Sequence, residues 1–239
     1  MDKSMVDLYV KFKEIKKMGY VRSYKDKNNS GITFEHLLGK EQDEFFLPDY
    51  NGIELKTKKG YSKTKIALFT ANPDGKYLFA IQNLVEQYGV NKQKFLTELS
   101  AITKHRYNGY YFQIFVDWQN ENVVLLIFDR FYNLVSKDIW WTFELLKERV
   151  YLKLQKLALV KCCTKKIDNV EYYWYYRIFF YKNVNFDNFL KAIEKGKVTM
   201  RFKIGTFLSG PRKGQIHNHG IDFAIAEEDL KDIYTPVFK

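Results

Sequence analysis

A chain of 239 residues that is 46% hydrophobic and 18% aromatic, with only 4 prolines and 13 glycines, can build a sizeable core and is neither a disordered tail nor a fibrous repeat. Its 39 Lys and Arg outweigh 28 acids to give a formal net charge of +11, which favours a polyanionic partner, nucleic acid first, through attraction and counterion release. Two cysteines and four histidines exclude a zinc site built on cysteine pairs, and no long uncharged apolar run or cleavable leader is found, so no membrane partner and a cytoplasmic location are expected.

Met5, Leu8, Phe12, Ile15 and Met18 recur at three- and four-residue spacing and predict an amphipathic helix with a Lys-rich outer face. Residues 20–31 are polar and loop-like. Thr33 to Leu38 predicts a short helix closed by Gly39, where a left-handed residue is wanted. Ile53–Thr57 and Lys65–Thr70 read as two strands around the basic turn Lys58–Lys63, a hairpin. Tyr77–Tyr88 is helical in period, and Tyr110–Trp118 with Asn122–Phe128 reads as a strand pair. Ser136 is the expected N-cap of a helix through Trp140, Trp141 and Leu145.

Leu154–Ile167 and Val170–Tyr181 predict a second hairpin turned at Asp168 and Asn169, with Cys162 and Cys163 on opposite faces as reduced thiols. In the run Tyr172 to Tyr176, alternate rings are expected to point into the core. Asn185 caps a short helix, and Val198–Phe207 and Ile221–Ile225 form strands joined by the loop GPRKGQIHNHG.

The segment PDYNGIELK carries the chemistry. Residues i and i+2 of a strand share a face, so Glu54 and Lys56 point together while Leu55 faces the core and Asp49 sits in the preceding turn. Two carboxylates, Asp49 and Glu54, with the Leu55 backbone carbonyl suit a hard Mg²⁺ ion, and Lys56 is placed to orient or help deprotonate a water for in-line attack on a phosphodiester. The set Asp7, Glu14 and Lys16 has the same spacing but lies on a helix, where a two-residue step turns side chains by about 200° onto different faces. The plainer alternative for Asp49, Glu54 and Lys56 is a turn residue and a solvated ion pair.

Arg201, Lys203, Arg212, Lys213, His217 and His219 gather in the last forty residues or so as candidate DNA contacts, with base-edge reading and phosphate contact equally open for each. His36, Lys58 and Lys59 are further candidates near the PDYNGIELK segment, whereas His105 is isolated and reads as a surface residue. The contiguous His217, Asn218 and His219 do not reproduce an HNH nuclease site, whose residues are dispersed over a hairpin and a helix.

In order and spacing, GITFEHLLGK, PDYNGIELKTKKG, IALFTANPDG and the late GPRKGQIHNHGIDFAI resemble the MvaI/BcnI family of type II restriction endonucleases, relatives of the MutH mismatch-repair nickase. The sequence departs from that pattern after LLG, where EQDEFF stands, and nothing in residues 105–185 matches a motif. The resemblance implies an α/β, restriction-endonuclease-like (PD-(D/E)xK) core, with a mixed central sheet flanked by helices, plus a recognition lobe. Residues 1–135 are expected as the catalytic lobe with the metal site and 136–239 as the DNA-recognition lobe, with duplex DNA between. It also implies Mg²⁺-dependent hydrolysis of double-stranded DNA at Asp49, Glu54 and Lys56, with Glu35 as a supporting acid. The expected enzyme is a monomer cutting a short, nearly palindromic site resembling CCNGG, with a DNA methyltransferase as genetic partner. Two other readings are a MutH-like strand-nicking enzyme and a catalytically silent DNA-binding module.

Overall fold

The computed structural model describes residues 2–26, 29–40, 47–74 and 77–237, so the EQDEFF stretch lies outside the described residues. In chain order the elements are α1 (Lys3–Lys17), β1 (Val21–Arg22), α2 (Ser30–Leu37), β2 (Glu54–Lys59), β3 (Ile66–Thr70), α3 (Tyr77–Tyr88), β4 (Phe95–Leu99), β5 (His105–Tyr107), β6 (Tyr110–Asp117) and β7 (Asn122–Phe128). There follow β8 (Leu134–Thr142), α4 (Phe143–Lys153), β9 (Lys156–Ile167), β10 (Val170–Lys182), α5 (Phe186–Glu194), β11 (Val198–Thr206), β12 (Ile216–Ile225), α6 (Leu230–Ile233) and β13 (Thr235–Val237). Strands and helices interleave as a mixed α/β fold, as expected.

Two compact units result. The first comprises Met1–Ile66, Val150–Asn185 and Tyr234–Lys239, the second Ala67–Arg149 and Phe186–Ile233. A single boundary after residue 135 therefore does not describe the chain. The physical reason is strand pairing: β2 runs parallel to β9, with Glu54 opposite Leu157 and Lys59 opposite Cys162. Parallel neighbours need a long crossover, and here the crossover holds most of the second unit.

That pairing also corrects the expected hairpin. β2 does not fold back on residues 66–70; it ends the sheet of order β1-β10-β9-β2, with β13 also on β10, while β3 belongs to another sheet, β3-β12-β11-β4. The basic run is thus part strand rather than turn. In the first unit α1 and α2 cover one sheet face: Met5, Leu8, Phe12, Ile15, Phe34 and Leu38 pack on Leu55, Ala158, Val160, Tyr173 and Tyr175. Asp2 caps α1 by accepting from the Met5 N–H at 3.0 Å. Asn29 caps α2, accepting from the Gly31 and Ile32 N–H groups, so this helix starts three residues before Thr33.

The β9–β10 hairpin turns at Asp168 and Asn169, both at positive φ, 47° and 64°, and Tyr173 and Tyr175 are the buried rings of the aromatic run. In the second unit β5-β6-β7-β8 forms a third sheet. Trp140 and Trp141 lie in β8 and not in a helix, because β7 supplies a partner for this β-prone stretch, Val124 opposite Trp140 and Val123 opposite Trp141. Ser136 Oγ bonds Asp138 instead of capping; α4 starts at Phe143, with Thr142 Oγ1 accepting from the Leu145 N–H at 3.3 Å. The late loop is shorter than expected, since β12 already begins at Ile216 and carries His217 to Gly220.

Phe34 is fully buried, with its ring centroid 4.9 Å from that of Tyr175. Phe34→Ala should cost about 3–5 kcal/mol, read as a lower denaturation midpoint, and a change within error would mean that α2 is not anchored through this ring.

Candidate active site

Asn51 and Gly52 have φ of 46° and 80°, the backbone that a two-residue type I′ turn demands and that Asn-Gly adopts most readily. Tyr50 and Ile53 close the turn with reciprocal N–H to carbonyl bonds of 2.9 and 2.8 Å. Asp49, one residue before the closing pair, therefore stands beside Glu54, one residue after it. Its Oδ2 accepts from the Leu55 N–H at 2.9 Å. Within a strand the N–H and C=O of one residue point to the same side; the Leu55 carbonyl thus also points off the open edge of β2.

Strand alternation sends Leu55 into the core and Glu54 and Lys56 to the opposite face. The Glu54 side chain is 1% exposed, and its Oε1 takes Lys56 Nζ at 2.6 Å and Lys153 Nζ, from the end of α4, at 3.5 Å. Its Oε2 is buried and accepts no hydrogen bond from the described residues. Lys40 Nζ lies 3.6 Å from Asp49 Oδ1. Burial pushes the Glu54 carboxyl above its ordinary range, Lys56 and Lys153 pull it down, and Asp49 pushes it up. Glu35, half-buried on α2, is raised by burial and then by Asp49, against Lys40 and Lys56. The three acids and three lysines thus form one electrostatic cluster.

Among the described residues no three His, Cys, Asp or Glu side chains converge tightly enough to hold a metal ion alone. What the geometry offers a cation is Asp49, Glu54 and the Leu55 carbonyl. These donors fit a small, hard ion that keeps several waters: all are oxygens, and a buried carboxylate oxygen without a partner is costly unless something positive fills its place. Lys153 and Lys40 were not foreseen in the sequence; Lys153 lies almost a hundred residues from Glu54 and reaches it only because β9, just after α4, is the partner of β2.

The expected DNA contacts divide. The His36 ring stacks on Tyr24 with centroids 3.8 Å apart, Lys58 is buried, and Lys59 is held by both oxygens of Glu171 at 2.9 and 3.1 Å. Arg201 and Lys203 both reach Asp222 Oδ2, at 2.9 and 2.6 Å. Arg212 and Lys213 are exposed. Arg212, His217 and Asn218 line a cavity of about 680 Å³ with Phe207 and residues of α3, and the His217 ring lies flat on Phe207 at 4.4 Å. The side chain of His219 lies outside the described residues.

A turn carboxylate and a strand carboxylate two residues before a lysine, on a mixed sheet backed by helices, are the arrangement expected of an endonuclease of the restriction type. The chain belongs to the MvaI/BcnI restriction endonuclease family, whose sequence pattern matches residues 9–234; it is a type II site-specific deoxyribonuclease. Among solved structures it is similar to restriction endonuclease MvaI in a complex with its cognate DNA substrate, with a TM-score of 0.88, 27% identity, and 99% of this chain and 98% of that one covered. MvaI in the absence of DNA gives a TM-score of 0.66 at the same identity and coverage. No curated protein matches the chain.

Because burial raises Glu54 above its ordinary 4.5, the fold disfavours the ionised form: the stability of the neutral form is fully present below that value and lost as pH rises through the raised one. In chelator, Glu54→Gln should therefore raise the thermal midpoint at neutral pH, with the gain vanishing as pH falls toward 4.5. A lowered midpoint at pH 7 would contradict this balance.

Proposed function

We propose that this enzyme uses Mg²⁺ to hydrolyse phosphodiester bonds in double-stranded DNA at a short, nearly palindromic site resembling CCNGG. The observation that carries the site is the pairing of a buried Glu54, one oxygen open and the other on Lys56, with Asp49 on the far side of a tight turn. The duplex substrate is supported by the net charge of +11 and by the likeness to MvaI bound to cognate DNA.

Asp49, Glu54 and the Leu55 carbonyl would hold the ion, which when bound neutralises charge growing on the scissile phosphate and lowers the pKa of a water. Lys56 orients a water for in-line attack; as the water oxygen bonds to phosphorus the bridging oxygen leaves, the water's proton passing to solvent and the leaving oxygen taking up a proton from solvent. Glu35 adds negative charge beside the two ligand acids, and Lys40 steadies Asp49. In the second unit Arg212, Lys213 and His217, with His219, read the DNA from the late loop and the start of β12; Arg201 and Lys203 act from β11 with Asp222 fixing their direction. On the first unit His36 and Lys59 support the duplex near the cut, whereas Lys58, being buried, does not reach it. The catalytic role thus falls to the first unit and recognition to the second. The enzyme works as a monomer in the cytoplasm, nicking the two strands in turn, and a methyltransferase shields the host's own sites.

Supercoiled plasmid tests this. Protein and Mg²⁺ alone should give linear DNA with one set of mapped ends. Persistent open circles would mean a strand-nicking enzyme of the MutH kind, and no product a silent binding module. Glu54→Ala and Lys56→Ala should each abolish cleavage while duplex binding survives; unchanged cleavage would remove these residues from the site.

A further inference from the structure

Glu54 Oε1 faces two ammonium groups at unequal distance, Lys56 at 2.6 Å and Lys153 at 3.5 Å, while the rest of the carboxylate is buried. An ion pair this short takes one of the three Lys56 N–H donors and pins the ammonium to the carboxylate, which restricts where it can place a water. Were Lys56 to turn away with no second cation at hand, Glu54 would be left as an uncompensated buried charge, which is strongly unfavourable. Lys153 removes that conflict. It is the last residue of α4 and is followed after two residues by β9, which is hydrogen-bonded to β2. Its stem is thus fixed at the same sheet edge as its target, and its side chain keeps 24% of its exposure.

We propose that Lys153 is a second lysine of the active site, a positioning residue that takes over Glu54 Oε1 and so releases Lys56 for the attacking water. It holds the Glu54 carboxylate in one orientation through the exchange, with Oε2 turned to the ligand position. The inference rests on the assignment of Glu54 and Lys56 made above, and its test separates the two.

The test combines single-turnover cleavage of plasmid in saturating Mg²⁺, duplex binding in Ca²⁺, and urea unfolding in chelator for Lys153→Met, Glu54→Gln and the double variant. Lys153→Met should slow cleavage by about 10- to 100-fold, the scale of a small misplacement of a reacting group, while duplex affinity stays within about threefold of wild type, since the loss is of alignment and not of a phosphate contact. Lys153→Arg, which keeps the charge, should restore most of the rate. In urea the two substitutions should be non-additive, because they remove the two ends of one interaction. Lys153→Gln replaces the Met variant if the latter does not fold. Cleavage at the wild-type rate, additive unfolding energies, or a loss that appears in duplex affinity alone would each overturn the proposal. If Glu54→Ala and Lys56→Ala also cleave normally, the site assignment itself has failed; if they are dead and Lys153→Met is not, only the role of Lys153 has.

Discussion

A carboxylate taken almost wholly out of water is the constraint around which the first unit is organised. Burying an ion is expensive unless charges and hydrogen bonds answer it, and Glu54 is answered on one oxygen only. The sheet sets its depth, since β2 lies beside β9 and Leu55 is held in the helix-covered core. The Asn51-Gly52 turn sets its neighbour by bringing Asp49 back onto the Leu55 amide. The lysines arrive separately, Lys56 from the same strand and Lys153 from the end of α4. A position that stability alone would fill with an apolar residue instead holds a carboxylate paired with two lysines.

Much of this was legible in the sequence because it is local. The i, i+2 rule puts Glu54 and Lys56 on one face whatever β2 pairs with, and helical spacing in residues 5–18 predicts α1 from its own side chains. Asp168 and Asn169 turn the β9–β10 hairpin because both tolerate positive φ. The Asn-Gly signal at 51–52 was also there to be read, and it is what brings Asp49 beside Glu54.

What failed is non-local. Residues 54–59 look like one arm of a hairpin because a second strand-like run follows a basic turn, but nothing in either run says that the true partner is residues 157–162. The same blindness hid Lys153. At Ser136 the cap signal was real as chemistry yet lost to tertiary pairing, since β7 offers the Trp140–Trp141 stretch a ladder of backbone bonds. The lysines of the run after Glu54 read as a basic turn open to DNA, but Lys59 has an acid, Glu171, waiting on β10, again more than a hundred residues away.

The chain passes between its two compact units at residues 66, 149, 185 and 233. Neither unit can therefore be cut out as an uninterrupted piece of gene, and recombination that swaps contiguous segments cannot exchange either unit for another intact. New properties in such a scaffold have to arise by point changes and loop insertions, for example in the stretch between β11 and β12, which carries the exposed Arg212 and Lys213.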